Sequence, residues 1–171
     1  KSAVAEVLHE LGAAVIDADR LAHQQLSKPN VAGVLREWWG ERVFTPDGTI
    51  DRRVVADIVF EEPGELQRLE ALLYPLLDRE IAVLASRFNG DPAVCAVVID
   101  APKLYEAGVD KQCDAVVFVY APGATRVDRV ARSRGWTEAE LLRREGLQEP
   151  LDKKRAIADY VIENHSGTDQ L

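Results

Sequence analysis

Two short runs near the start of the chain hold residues that could act on a phosphate group. The chain begins with Lys1 and Ser2, directly before a helical pattern. At the end of a glycine-rich phosphate-binding loop, a Lys reaches the outer phosphates and the next hydroxyl holds Mg²⁺. No glycine precedes the pair in this sequence, so the pair by itself is more typical of an ordinary helix end. The second run, VIDAD (15–19), carries more information.

Asp17 and Asp19 lie at the end of the predicted strand AAVID (13–17). Ligands in open α/β sheets bind at the carboxyl ends of the strands. A carboxylate at that edge can orient a hydroxyl group, or accept its proton, while phosphate is transferred. An Asp can equally cap the next helix. We assign the cap to Asp17 and the chemistry to Asp19.

The surrounding elements alternate between helices and strands. Apolar spacing of i, i+3, i+4 and i+7 predicts a first helix, at Val4, Val7, Leu8 and Leu11. Strands are predicted at 13–17, 93–100, 115–121 and 159–164. The second and third strands are almost wholly apolar, which is typical of parallel strands covered on both faces. The alternation predicts an α/β fold with a parallel sheet.

The region 30–93 reads as a helical insertion. Helices are predicted at 31–43, 52–60, 65–74 and 75–88. The segment 123–155 differs in charge, with nine basic and six acidic residues. A basic segment in an acidic protein suits a polyphosphate whose charge grows during transfer. Most of its arginines are expected on helix surfaces or in i,i+4 pairs with acids.

Composition excludes several classes of protein. The 171 residues carry a net charge of −8 and are 47% hydrophobic. Such an acidic chain is a poor candidate for general nucleic-acid binding, and no apolar run is long enough for a membrane span. Cys95 and Cys113 belong to no CxxC pair, which is typical of reduced residues in a cytoplasmic protein.

Five segments of the chain carry a further signal: KSAVAEVLHELGAAVIDADRLAH (1–23), LLYPLL (72–77), VVIDAPKLYEAG (97–108), RVDRVARSRGWT (126–137) and ADYVIEN (158–164). Together, and in this order, they resemble one known family, dephospho-CoA kinase. The first segment resembles the start of the family just after its glycine loop. The IDAD run and the ADYVIEN run are the most specific of these matches.

The resemblance implies a P-loop NTPase-like three-layer fold with a parallel sheet. The core would comprise 1–29, 94–122 and 156–171, with a dephospho-CoA-binding insertion at 30–93 and a lid at 123–155, all in one folded domain. The family's first strand and glycine loop would be absent from this chain. We therefore expect the full gene product to be a kinase and this polypeptide alone to be poorly active, because bonds from loop N–H groups to phosphate are lost.

The resemblance also implies a reaction and its residues. ATP would phosphorylate the ribose 3′-hydroxyl of dephospho-CoA, the last step of coenzyme A synthesis. Lys1 would bind the β/γ-phosphates and act in catalysis, Ser2 would bind Mg²⁺, and Asp19 would face the acceptor hydroxyl. Asp100 is a candidate water-mediated Mg²⁺ partner, although a bond to the next turn suits its position equally well.

In the lid, Arg132 and Arg134 are the arginines we expect to contact ATP. They flank Ser133, which stands where the family usually has Arg, so which of them reaches ATP stays open. Asn164 matches a family position with an adenine-side or structural role, as does Gln148.

Two departures fall in the predicted substrate site. Tyr74, before Pro75, replaces a usual His; it can donate a hydrogen bond but cannot carry positive charge. Lys103 replaces an apolar residue and either faces solvent or adds a cation near the phosphates.

Two alternatives remain open. The chain could be another P-loop nucleoside or nucleotide kinase, or a non-catalytic remnant that binds CoA-like ligands or nucleotides. The expected partners are ATP and dephospho-CoA, without nucleic acid or membrane, in a monomer or weak homo-oligomer.

Overall fold

The computed structural model describes residues 1–165 and divides into two compact units. One unit is Gly12–Asp100. The other joins Lys1–Leu11 to the chain from Ala101 onward. The last six residues of the predicted core segment 156–171 lie outside the described residues.

The unit Gly12–Asp100 contains two parallel strands, β1 (Ala13–Asp17) and β2 (Ala96–Asp100). Their register runs from Ala13 opposite Ala96 to Asp17 opposite Asp100. Ile16 of β1 is only 2% exposed, as expected for an apolar strand within a packed layer. The predicted parallel pairing is therefore confirmed for these two strands, and it brings two Asp residues to one edge.

Four helices fill the rest of this unit: α2 (Ala18–Leu26), α3 (Pro29–Trp39), α4 (Arg52–Glu61) and α5 (Pro63–Asn89). Their apolar faces meet in one core, whose buried members are Leu26, Val31, Leu35, Trp39, Val43, Val55, Val59, Leu69 and Leu73. Trp39 is anchored there because its Nε1–H donates to Glu65 Oε2 at 2.6 Å. The helical character of the region 30–93 is confirmed.

One boundary prediction in this unit is wrong. The sequence predicts separate helices at 65–74 and 75–88, but α5 is a single helix of 27 residues with Pro75 inside it. Proline removes one N–H donor and crowds the preceding turn, which usually ends or kinks a helix. Here Leu73 before Pro75 and Ile81 after it are both buried, so tertiary packing stabilises the helix across the proline.

A second boundary also moves. The predicted helix 31–43 begins earlier, with Pro29 at its first position, and gives way at Gly40 to a 3₁₀ turn (Gly40–Val43). Proline is well tolerated at the start of a helix, where its missing N–H would have no helical partner. Gly40 has φ +70°, a conformation that favours glycine and ends the α-helix.

The other unit contains α1 (Ser2–Glu10), β3 (Val117–Tyr120), α6 (Gly123–Arg134), α7 (Glu138–Glu145), α8 (Leu151–Ile157) and β4 (Tyr160–Glu163). β3 and β4 pair in parallel, from Val117 opposite Tyr160 to Tyr120 opposite Glu163. α8 packs against β3. The predicted strands at 115–121 and 159–164 are thus confirmed as strands, and their mutual orientation is parallel, as predicted for the sheet.

The expectation that β3 is covered on both faces is not met in this unit. Val117 is 44% exposed, and Tyr160 opposite it is 64% exposed. Within residues 1–165, too little of the chain packs over this end of the strand pair to bury these side chains.

Among the helices within residues 1–165, none is both long and apolar enough to cross a membrane.

Candidate active site

The carboxyl ends of β1 and β2 form an acidic edge. Asp17 and Asp100 are the last residues of the two strands and lie opposite each other in the register. Asp17 Oδ1 accepts a hydrogen bond from Arg20 N at 2.9 Å and so caps α2. The predicted capping role of Asp17 is confirmed.

Asp19 lies in the first turn of α2, two residues after that cap. The side chain is exposed, and within residues 1–165 its carboxylate makes no hydrogen bond or ion pair. The cap fixes the backbone of the turn, and the helix N-terminus favours negative charge there. Asp19 is therefore an available carboxylate on a rigid turn at the carboxyl end of β1, which is the geometry that a group acting on a ligand hydroxyl needs.

Lys1 and Ser2 lie at the start of α1, in the other unit. Lys1 occupies the N-cap position, and its carbonyl accepts from Ala5 N at 3.0 Å. Both side chains are exposed. The first N–H groups of a helix have no helical acceptor and carry partial positive charge, so they can bind a phosphate. Lys1 and Ser2 are thus on the element expected from the sequence.

The two arginines selected from the sequence lie at the end of α6. Arg132 is 79% exposed and pairs with Asp128 at 2.9 Å, and the Arg134 guanidinium lies 4.7 Å from the centre of the Trp136 ring. Both arginines therefore contact neighbours in their own segment. A ligand phosphate would have to replace a surface ion pair in one case and a cation–π contact in the other, and each is a weak interaction.

Sequence reasoning did not select Arg126, which joins α6 to α7. Its Nε and Nη2 donate to the two carboxylate oxygens of Glu145 at 2.9 and 3.1 Å, and its Nη1 donates to Ala121 O at 2.9 Å. Such a two-pronged pair is among the stronger side-chain contacts in proteins. Arg126 and Glu145 are 19 positions apart, which exceeds the i,i+4 spacing that sequence patterns detect.

Asn164 follows β4 and is only 6% exposed. Its Oδ1 accepts from Arg129 Nη2 at 2.7 Å, and its backbone N–H donates to Tyr120 O at 2.8 Å. The side chain thus connects the end of the β3–β4 pair to α6. The sequence analysis assigned no role to Arg129, and its link to Asn164 spans 35 positions, well beyond the spacing of a local pattern.

Comparison with known proteins identifies the chain. A family model described as Dephospho-CoA kinase matches residues 1–170. The chain belongs to the dephospho-CoA kinase family. A dephospho-CoA kinase of Symbiobacterium thermophilum is 39% identical, over 99% of this chain and 71% of the relative. One from Streptomyces avermitilis is 38% identical, over the whole of this chain and 82% of the relative.

Solved structures with the same fold also match the chain. The crystal structure of TT1252 from Thermus thermophilus has a TM-score of 0.81 and 32% identity, covering 97% of this chain and 83% of that chain. The dephospho-CoA kinase from Campylobacter jejuni has a TM-score of 0.69, covering 99% of this chain and 84% of that one. It is 20% identical and supports the fold alone. The predicted P-loop NTPase-like α/β fold with parallel strands is confirmed.

In a dephospho-CoA kinase, ATP brings a divalent cation with its phosphates. Mg²⁺ prefers hydroxyl, carboxylate and water oxygens. Ser2 offers a hydroxyl at the first residue of α1, and Asp100 offers a half-buried carboxylate at the end of β2. Both residues fit the chemistry of that ion. Within residues 1–165, no group of three or more His, Cys, Asp or Glu is arranged to hold a metal.

The remaining predicted substrate residues lie in the helix α5 and in the segment that follows β2. Tyr74 and Pro75 lie in the middle of α5, where Pro75 is exposed and the Tyr74 hydroxyl oxygen is buried. That hydroxyl would have to become exposed before it could donate to a ligand. Lys103 is half-buried in the segment after β2. Its predicted role stays a prediction.

A buried ion pair near Lys103 was also missed from the sequence. Lys154 of α8 is 6% exposed and lies 2.9 Å from Glu106 Oε1. Burial alone would raise the pKa of Glu106, but hydrogen bonds from Lys154 and from Glu149 N outweigh it and lower that pKa. The four consecutive charged residues DKKR (152–155) are typical of a solvent-exposed helix face. The sequence indicates burial of Lys154 only through its position three residues after Leu151, which places both on the same side of the helix.

Proposed function

We propose that this protein transfers the terminal phosphate of ATP to the ribose 3′-hydroxyl of dephospho-CoA, giving coenzyme A and ADP. The match of a dephospho-CoA kinase model over residues 1–170 supports the substrate pair. The observation that carries the mechanism is the exposed Asp19 carboxylate, held on a turn that Asp17 caps.

Asp19 orients the acceptor hydroxyl and takes its proton. As the hydroxyl oxygen bonds to the γ-phosphorus, the bond from that phosphorus to the bridging oxygen breaks and ADP leaves. Phosphoryl transfer depends mainly on positioning and on stabilising the charge of the transferred group. One carboxylate beside the acceptor hydroxyl is therefore a sufficient catalytic group on the acceptor side of the reaction.

The phosphates are bound by positive charge. Lys1 contacts the β- and γ-phosphates beside the N–H groups that begin α1. Arg132 and Arg134 come to ATP from α6 and stabilise the charge that develops on the transferred group. Mg²⁺ bound with ATP would neutralise phosphate charge, and Ser2 and Asp100 are the residues that would hold it, Asp100 through water.

Dephospho-CoA binds to the insertion 30–93, where Tyr74 and Pro75 of α5 contact it, and Lys103 adds a cation near its phosphates. The segment 123–155 acts as the lid over ATP. The enzyme works in the cytoplasm, as a monomer or weak homo-oligomer, without nucleic acid or membrane.

The decisive experiment offers the full-length protein three acceptors, dephospho-CoA, AMP and adenosine, each with ATP and Mg²⁺. The phosphorylated product is identified by mass spectrometry. We expect phosphate on the ribose 3′-oxygen of dephospho-CoA, with AMP and adenosine far poorer acceptors. Preference for AMP would reassign the protein to the other nucleotide kinases. Binding of CoA or ATP without turnover of any acceptor would indicate a non-catalytic binding protein.

A further inference from the structure

Lys154 is a buried cation with three oxygen partners. Its Nζ donates to Pro102 O at 2.8 Å and to Gln148 Oε1 at 3.1 Å, and it lies 2.9 Å from Glu106 Oε1. The ammonium group has three N–H donors, so these three acceptors use all of them. The Lys154 side chain is 7% exposed and that of Glu106 is 17% exposed.

The three partners come from two separate parts of the unit. Pro102 and Glu106 belong to the segment that follows β2, and Gln148 belongs to the connection between α7 and α8. Glu149 N also donates to Glu106 Oε1 at 2.7 Å. One cation thus fixes the segment carrying Lys103 against the end of the lid segment.

The contact with Lys154 also determines the orientation of Gln148. An ammonium group can only donate, so its partner on the amide must be the oxygen. The amide nitrogen Nε2 then lies on the other branch of the side chain. Within residues 1–165, Nε2 has no hydrogen-bond partner, and Gln148 is only half-buried. Two N–H donors are thus left for a ligand, at a side chain whose rotation Lys154 restricts.

We propose that Lys154 is a positioning residue for ATP binding: it holds Gln148 so that the Gln148 amide nitrogen donates to the bound nucleotide. This inference rests on the proposed function for the identity of the nucleotide, ATP. Gln148 lies within the basic segment 123–155, whose charge favours a polyphosphate ligand. Lys154 acts through Gln148 and does not itself contact ATP, because its donors are already used.

Gln148→Glu separates this role from a purely structural one. The new carboxylate still accepts from Lys154, so the buried cation keeps its partner, but the two N–H donors are lost. Lys154→Met removes the cation and frees Gln148 to rotate. Lys153→Met is the matched control, since Lys153 is 58% exposed and, within residues 1–165, its one ion pair is a surface pair with Glu149.

The test measures Mg·ATP binding by calorimetry in full-length protein without any acceptor, alongside steady-state kinetics and thermal unfolding. We expect Gln148→Glu to weaken ATP binding at least about fivefold, as loss of a hydrogen bond to a polar ligand does, with KM for ATP rising and Tm nearly unchanged. Lys154→Met should weaken ATP binding similarly and lower Tm. The double variant should bind ATP with the same affinity as whichever single variant binds it less tightly, because both substitutions remove the same contact.

The two hypotheses fail in different ways. If Gln148→Glu and the folded fraction of Lys154→Met both bind ATP within twofold of the parent, the positioning role is wrong while the kinase function stands. Additive losses in the double variant would also overturn it. If the parent binds ATP but phosphorylates AMP rather than dephospho-CoA, the proposed acceptor is wrong and the binding data still decide the role of Lys154. Since Gln148→Glu preserves the buried acceptor, the test does not depend on whether Lys154→Met folds.

Discussion

Asp17 and Asp100 lie directly opposite each other at the carboxyl ends of β1 and β2. Two like charges at one edge would repel, and each is accommodated differently. Asp17 accepts the Arg20 N–H as the cap of α2, whereas Asp100 is half-buried at the end of β2. Asp17 and Asp19 are both exposed, but the Asp17 carboxylate is used by the cap, whereas the Asp19 carboxylate, two residues later, makes no hydrogen bond or ion pair within residues 1–165.

The same substitution, Asp to Asn, should lower kcat strongly at Asp19 and hardly change it at Asp17. Asp19→Asn removes the proposed proton acceptor, and we expect kcat to fall by about 100-fold or more, the usual contribution of a general base. Asp17→Asn should leave kcat within a few-fold of the parent, because Asn caps a helix as well as Asp does. Phosphoryl transfer from ATP to dephospho-CoA and thermal unfolding are measured for both variants.

Asp17→Ala is the third member of this set. Loss of the cap should cost about 1 kcal/mol of unfolding free energy, with a smaller effect on kcat than Asp19→Asn has. If Asp19→Asn keeps near-parental turnover, or if Asp17→Asn loses it, the roles of the two acids are assigned wrongly.

Features governed by local physics could be predicted from the sequence. The strand β1, its acidic end and the Asp17 cap all depend on residues within a few positions of one another, and the structure confirms them. Pro75 shows the limit of this reasoning. A proline normally ends a helix, but α5 continues because distant residues pack against both of its halves, and a local pattern does not encode that packing.

The contacts of the candidate site were less predictable for the same reason. Arg126 bonds to Glu145 across 19 residues, and Arg129 bonds to Asn164 across 35. Lys154 reads as one cation of a charged run, yet it is buried among oxygen atoms that come from as far away as Pro102. The sequence showed that the segment 123–155 is basic. Which cations hold the fold, and which can reach a ligand, depends on long-range geometry.

The two arginines at the end of α6, Arg132 and Arg134, provide a second prediction. Arg132→Ala and Arg134→Ala should each raise KM for ATP, by about tenfold for the residue that contacts a phosphate, since a charge-assisted hydrogen bond contributes about 1.5–3 kcal/mol. Arg143→Ala is the control with the same change of charge. Arg143 lies in the same segment and pairs with Glu140 at 3.0 Å, so its loss should change KM for ATP less than twofold.

The KM values of these three variants also show which arginine contacts ATP. Measuring KM for ATP at low and moderate salt distinguishes a direct contact from the general field of the segment, because only the latter is strongly screened. If all three variants shift KM equally, the segment acts through net charge and neither Arg132 nor Arg134 has a specific contact.

The adjacent tryptophans Trp38 and Trp39 should differ in their contribution to stability. Trp39 is 7% exposed, and its Nε1–H donates to Glu65. Trp39→Phe loses that hydrogen bond to a charged group, which costs about 1–3 kcal/mol, in addition to the packing lost with the smaller ring. Trp38→Phe should cost less, because it is only partly buried and the new ring can still receive Arg68, whose guanidinium lies 4.0 Å from the indole centre. Denaturant unfolding measures both, and equal losses would contradict the difference in burial.

The buried pair of Glu106 and Lys154 makes a prediction about acid stability. The lowered pKa of Glu106 means that the folded protein holds this carboxylate ionised at pH values where the unfolded chain begins to protonate it, near 4.5. Its contribution is therefore fully present above that pH and is lost as pH falls through the lower folded value. Glu106→Gln keeps an oxygen acceptor for Lys154 and for Glu149 N but cannot ionise. We expect the free energy of unfolding of the parent, minus that of Glu106→Gln, to be constant above about pH 6 and to fall steadily towards pH 3.

Glu41→Gln is the surface control for this experiment. Glu41 pairs with Arg36 at 2.7 Å but is 75% exposed, and exposed pairs contribute little to stability. The stability of Glu41→Gln should follow that of the parent across the same pH range, measured by denaturant unfolding at each pH. If the free energy of unfolding of the parent instead rises relative to that of Glu106→Gln as the pH falls, the Glu106 carboxylate is destabilised in the folded protein. In that case the ion pair with Lys154 could not be what stabilises the charge on Glu106.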